Sequence, residues 1–348
     1  MPEPAATTPP PPPPAFLPPP RGRRALKVMV VLFLVSVFFN FTQLAAYRNY
    51  SSGNKPPFEK FHSGTLTSMS KIARIEIRGV IMPPFTERWI KAIDAAAEDN
   101  RVRGVLLVVD SPGGLVADSH QIYDRLRRLR DKKPVYVAMK RLAASGGYYV
   151  AMGGGPEAKI FAEPTTWTGS IGVIVPRYNL ADLARTWGVK SEPLVTGPFK
   201  NSLDPLKELT PDEQAVWEKI LADAFDRFVE VIDDGRGNLD PDQIRALATG
   251  QIYTATQALE NGMIDSIGFE EDALAALQQK LELTSVRVIQ YQQPSGLIDV
   301  VLGRSDAPDP ATEAGALDPL ARLWEANVPR AMYLFGWLPG LRQDAADR

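Results

Sequence analysis

The 348-residue chain has no cysteine and only two histidines, His62 and His120. The first absence excludes disulfides, thiolate catalysis and cysteine-ligated zinc. Two histidines are too few for most zinc sites. No EF-hand or P-loop pattern appears, so the sequence calls for no cofactor, and a carboxylate-only site for Mg2+ or Ca2+ is the one metal reading left open. The formal net charge is -2, which points to neither nucleic acid nor an acidic substrate as a partner.

Charge is also missing from one long stretch. Between Val28 and Ala46 only Ser36, Asn40, Thr42 and Gln43 are polar, and none is ionised. A helix of that length is long enough to cross a bilayer. Arg21, Arg23, Arg24 and Lys27 precede it, which predicts a cytoplasmic N-terminus with everything after Tyr47 outside. A cleaved signal peptide is the competing reading, but the apolar run is long for one and Leu44-Ala45-Ala46 is a poor cleavage site.

Composition divides the chain further. Residues 1–24 form a proline-rich basic tail with an unbroken run from Pro9 to Pro14, which suits a solvated polyproline spacer or a ligand for an SH3-like or WW-like domain. Residues 25–46 form the anchor, and 47–70 read as a linker. Residues 71–283 alternate strand and helix patterns. Residues 284–348 form an extension that is loose over 304–320 and then apolar over 331–338. That apolar piece is too short to span a membrane. It can dock on the globular domain, lie on the bilayer surface or pack against a neighbouring subunit.

Within 71–283, apolar runs at Ile72–Val80, Val105–Val109, Val135–Met139, Ile160–Ala162 and Ile171–Val175 read as strands. Amphipathic patterns at Trp89–Glu98, Ala117–Arg130 and Asp212–Asp233 read as helices, and another helix follows Ser145. The alternation predicts an α/β domain with a largely parallel sheet. Sites in such sheets form where strands hand over to helices.

Two loops have that position. Asp110-Ser111-Pro112-Gly113-Gly114 follows a buried strand, and its glycines leave backbone N–H groups uncovered, either as an ordinary turn or as half of an oxyanion hole. Ala144-Ser145-Gly146-Gly147 offers Ser145 as a helix N-cap or as a nucleophile, with the Gly146 N–H as a second oxyanion donor. A base for Ser145 is harder to find. His62 lies in the linker, and His120 sits mid-helix among Asp118, Gln121 and Asp124, on what reads as a solvated face. A lysine serves once burial leaves it a neutral amine. Lys200, in Gly197-Pro198-Phe199-Lys200-Asn201 and with no other charge within three residues, is the candidate.

These motifs, taken in order, resemble the signal peptide peptidase A (protease IV) family, which is similar in fold to ClpP and the crotonases. Val109–Gly114 resembles the family's oxyanion loop and Ala144–Tyr149 its nucleophile motif. Thr168-Gly169-Ser170-Ile171-Gly172-Val173 resembles the segment whose serine, here Ser170, helps hold the lysine amine. Gly197–Asn201 resembles the lysine motif, and Gly250–Thr254 through Gly262–Asp265 a C-terminal signature. The resemblance implies a serine-lysine endopeptidase of ClpP/crotonase-like fold, with Ser145 as nucleophile, Lys200 as general base and Gly114 with Gly146 at the oxyanion. It also implies a ring of identical subunits in which serine and lysine come from adjacent copies, acting on apolar peptides such as released signal peptides. Two other readings compete: an inactive relative kept as a membrane scaffold, and a crotonase-like acyl-CoA enzyme, for which no carboxylate pair is evident.

Overall fold

The structure is a computed structural model, and it describes residues 22–53, 56–292 and 332–334. The proline tract, the 304–320 stretch, Ala331 and residues 335–338 lie outside the described residues. The chain divides into two compact units, residues 1–54 with 295–303, and residues 55–294 with 304–348. The described part of the first is helix α1 (Gly22–Gly53). Its segment Leu26–Leu44 is long and apolar enough to cross a membrane.

The second unit is built on a nine-stranded sheet. Strands β1 (Phe58–Gly64), β2 (Lys71–Arg78), β3 (Val102–Ser111), β5 (Val135–Ala144), β6 (Ile160–Ala162), β9 (Ser266–Ile267) and β10 (Arg287–Gln292) lie in the order β1-β10-β2-β3-β5-β6-β9. All neighbours in this row are parallel except β1 with β10. The sheet is therefore the expected parallel one. It reaches past residues 71–283 on both sides, because β1 lies in the linker and β10 in the C-terminal extension.

Strand β3 shows why the apolar runs are continuous. Val105, Leu107 and Val109 enter one core, with Ile77, Val137, Ile122 and Leu126. Leu106 and Val108 enter another, with Tyr136, Ala138, Ala273 and Leu277. Successive side chains alternate between faces, so a strand covered on both sides needs apolar residues at every position. Helices α2 (Phe85–Glu98), α3 (Val116–Arg130) and α6 (Pro211–Gly235) supply buried side chains to the first core, and α9 (Glu270–Lys280) covers the second. Thr210 starts α6 with a capping box, its hydroxyl accepting from the Glu213 N–H while Glu213 reaches back.

One expected strand is absent. Residues 171–175 form no ladder; the strand is instead β7 (Trp167–Gly169), parallel to the end of β5 and antiparallel to β8 (Ile252–Thr254). Ser170 then adopts φ 51°, which turns the chain out of the sheet. Ile174 makes only an isolated bridge, and its partner is Met332.

Candidate active site

The register of neighbouring strands assembles the site. In the β3–β5 ladder Ser111 pairs with Ala143, so the loop after β3 and the loop after β5 emerge side by side. In the β5–β7 ladder Ala144 pairs with Gly169, which sets Ser170 next to Ser145. The structure thus brings Ser145, Gly146, Gly114 and Ser170 to the carboxyl end of adjacent strands, where α/β sheets place their ligands.

Ser145 stands at the start of α4 (Gly146–Ala151) with φ 54° and ψ -116°. That region is hard for a residue with a Cβ, and such strain persists only where the surroundings hold it. Here they do: the Ser145 N–H donates to the Gly169 carbonyl at 2.7 Å, and its carbonyl accepts from Tyr149 N–H at 2.9 Å. The position is that of an N-cap, yet the side chain makes no capping bond. Ser145 is buried, and among the described residues its Oγ has no hydrogen-bond partner. Ser111 differs. Its hydroxyl donates to the Gly79 carbonyl at 2.6 Å and accepts from Gly113 N–H, so it braces the loop.

The glycines are required by close approach. Gly113 has φ 95°, and a Cβ there would lie 2.6 Å from the Gly146 nitrogen. Gly113–Leu115 forms a short strand, β4, whose outer residues bond to Ile81: Ile81 N–H donates to the Gly113 carbonyl and Leu115 N–H to the Ile81 carbonyl. Strand alternation then turns the N–H of Gly114 to the opposite side, toward the cleft.

The cleft holds a strand of this same chain. β11 (Met332–Leu334) pairs antiparallel with β4, Tyr333 opposite Gly114. The apolar C-terminal segment, in its described part, therefore docks on the globular unit. Tyr333 is fully buried, with its ring against Tyr149 and Phe228.

Lys200 is elsewhere. It lies exposed on a turn, and it makes no hydrogen bond to Ser145 within one chain. The turn is held from behind, since Trp217 Nε1–H donates to the buried Ser202 at 2.9 Å and Arg177 donates to the carbonyls of Asp204 and Lys207.

Two residues at the site escaped the sequence reading. Ser119 is buried with an unpartnered hydroxyl, 2.7 Å from where a Gly146 Cβ would stand. His120 is not a purely solvated side chain, because its Nδ1 bonds the Tyr149 hydroxyl at 2.7 Å. Burial, and then the nearby Arg227, lower its pKa against the pull of Asp124. The i to i+3/i+4 spacing that puts Ser119, His120 and Tyr123 along the α3 face was visible; what faces them was not.

The sequence matches peptidase family S49 over residues 127–284 and the Clp protease family over residues 61–167. It is 34% identical over 288 residues to a candidate signal peptide peptidase SppA of Enterococcus faecium, covering 78% of this chain and 83% of that one. The chain belongs to the S49 peptidase family. This S49 chain is also 33% identical to Protease 4 of Salmonella typhi, over 59% of its own length and 32% of the relative's. A chloroplastic serine protease SPPA of Arabidopsis thaliana is 30% identical over 65% of this chain and 34% of its own. The S49 chain is a serine peptidase, and its sheet is the Clp-like one.

Proposed function

We propose that this S49 peptidase cuts extended apolar peptides, such as released signal peptides, at the outer face of the cytoplasmic membrane, with Ser145 as nucleophile and Lys200 as general base. The observation that carries the reading is the Ser145 hydroxyl: buried, unpartnered, and held on a strained turn beside two uncovered glycine loops. Strain of this kind concentrates at functional sites.

In the reaction, Ser145 Oγ attacks the peptide carbonyl carbon while a neutral Lys200 amine takes the Oγ proton. The N–H groups of Gly114 and Gly146 hold the oxyanion. Collapse breaks the C–N bond, and the leaving amine takes the proton back from Lys200. Water then attacks the ester, gives its proton to Lys200, and releases the acid as Oγ is reprotonated. Ser170 is the hydroxyl that positions the amine.

Lys200 comes from an adjacent subunit in this reading, so assembly is a condition of activity. Supporting it are the unpartnered Oγ within one chain and the apolar surface around the lysine turn: Leu183, Trp187, Val189, Leu194, Val195 and Phe199 are all exposed. Exposed apolar patches of that kind mark interfaces. The helix over Leu26–Leu44, with basic residues before it, supports a single-pass anchor with the peptidase unit outside.

The test is cleavage of an apolar fluorogenic peptide by the detergent-solubilised full chain, beside Ser145→Ala and Lys200→Ala at matched oligomer state. Each variant loses at least about a thousandfold, and co-assembly of the two inactive chains restores part of the activity. Activity surviving Lys200→Ala would remove the lysine from the mechanism. A well-assembled parent that cuts nothing would return the chain to the scaffold reading.

A further inference from the structure

The strand seated in the cleft reports what the cleft selects. Met332 exchanges both backbone hydrogen bonds with Ile174, its N–H donating at 2.9 Å and its carbonyl accepting at 3.0 Å. The next residue must then turn its own N–H and carbonyl the other way, toward Gly114. The Tyr333 carbonyl oxygen accordingly sits deep among the glycines, 1.9 Å from where a Gly113 Cβ would stand and 3.0 Å from that of Gly146. A peptide carbonyl aimed at those N–H groups, next to Ser145, is the carbonyl of the residue on the acyl side of a scissile bond. Three described residues thus lie in the cleft as a peptide substrate would, bonded on both edges as an added strand.

The side chain of that residue is Tyr333, and its surroundings are specific. The ring stacks on Tyr149 with centroids 4.9 Å apart and planes 25° from parallel. It meets Phe228 at 4.6 Å, tilted by 54°. At the far end its hydroxyl donates to the Ala224 carbonyl at 2.7 Å. Tyr149 is itself fixed, by its hydroxyl on His120 Nδ1 and by edge contacts to Tyr123 and Phe228. The pocket is therefore flat, aromatic and dry along its walls, with one acceptor at its end.

We infer that this pocket makes the peptidase select tyrosine at the residue preceding the cut, with Tyr149 and Phe228 reading the ring and the Ala224 carbonyl reading the hydroxyl. The inference rests on the assignment of Ser145 as nucleophile. Phenylalanine fits the walls but leaves the acceptor unpaired. Leucine fills the slot without stacking, and a charged side chain is buried without a counter-ion. Tyr333 is a tethered occupant of the same pocket, so it competes with every added peptide.

The experiment uses the full chain and a set of fluorogenic peptides that differ only at the residue before the cut. Tyrosine exceeds phenylalanine in kcat/KM by about 2- to 10-fold, the value of one neutral hydrogen bond, and leucine and arginine fall lower. Tyr333→Ala raises kcat/KM for all the peptides and leaves their order unchanged. A second arm needs no catalysis: Ser145→Ala combined with Tyr333→Ala binds the peptide acetyl-Ala-Met-Tyr more tightly than acetyl-Ala-Met-Phe, measured by fluorescence titration. Cleavage in which phenylalanine or leucine equals tyrosine would overturn the inference while leaving the catalytic reading intact. Selective binding with no cleavage by the parent would do the reverse. Equal binding of the two peptides would also overturn it.

Discussion

The Ser145 N–H donates to the Gly169 carbonyl at 2.7 Å, and this bond couples the two strained serines of the cleft, since Gly169 precedes Ser170 in the chain. Ser145 has φ 54° and Ser170 φ 51°, both left-handed values that a side chain resists. The ladder between β5 and β7 therefore does two things at once. It aims the Ser145 hydroxyl outward from the end of one strand, and it places a second hydroxyl beside it from the end of the next.

That strain is measurable. Ser145→Ala and Ser145→Gly both delete the hydroxyl, so both lose peptidase activity. They differ in the backbone, because glycine accepts the conformation and alanine does not. The glycine variant should be the more stable by about 1 kcal/mol, the low end of the cost of one strained residue. Urea denaturation of the two variants side by side decides it. Equal midpoints would mean the turn relaxes when the hydroxyl is gone.

Much of this site was legible in the order of the motifs, because a buried parallel strand has to be apolar at every position and a close approach has to be glycine. Strand β3 and Gly113 each announced themselves that way. Strand β1 did not. Phe58-Glu59-Lys60-Phe61-His62-Ser63 is mostly polar, since a sheet-edge strand leaves much of its length in water. Its identity comes from pairing with β10, more than 220 residues later, and no local pattern carries that. The same holds for Tyr333. Its residue type says "core", but that it fills the pocket between Tyr149 and Phe228 depends on a register across β4 that only the folded chain sets. Lys200 was legible as a candidate by its isolation from other charges, and its partner in space was not.

Gly113 tests the other half of the site. At φ 95° any side chain is strained, and a Cβ would press on the Gly146 nitrogen at 2.6 Å. Gly113→Ala should push the two glycine loops apart, with a loss of about 100-fold in kcat/KM, comparable to deleting one oxyanion donor. Labelling of Ser145 by a fluorophosphonate should slow in parallel, since the same N–H groups hold the phosphonyl oxygen. A variant that labels and cleaves at the parental rate would show that these loops do not stabilise the transition state.

Far from the cleft, Lys71 predicts how the fold responds to acid. Its side chain is almost wholly buried, and its Nζ donates to Glu59 at 2.5 Å and to Asp99 at 2.8 Å. Burial alone would raise the pKa of Asp99. The hydrogen bond from Lys71, together with the Arg101 N–H, outweighs it and brings the value down to about 2 from an ordinary 3.8. A carboxylate whose folded pKa is depressed stabilises the fold above its unfolded value, and that contribution is lost as pH falls through the folded one. Asp99 therefore contributes fully above about pH 4 and progressively less between pH 4 and 2. Lys71→Met should cost about 3 kcal/mol at neutral pH by leaving two carboxylates without their shared cation. It should also flatten the pH dependence of stability over that acid window, because Asp99 then titrates nearer its ordinary value. Thermal melts of parent and variant from pH 6 to pH 2 check both parts. An unchanged acid slope in Lys71→Met would show that Lys71 does not set the Asp99 charge, whatever the variant's stability at neutral pH.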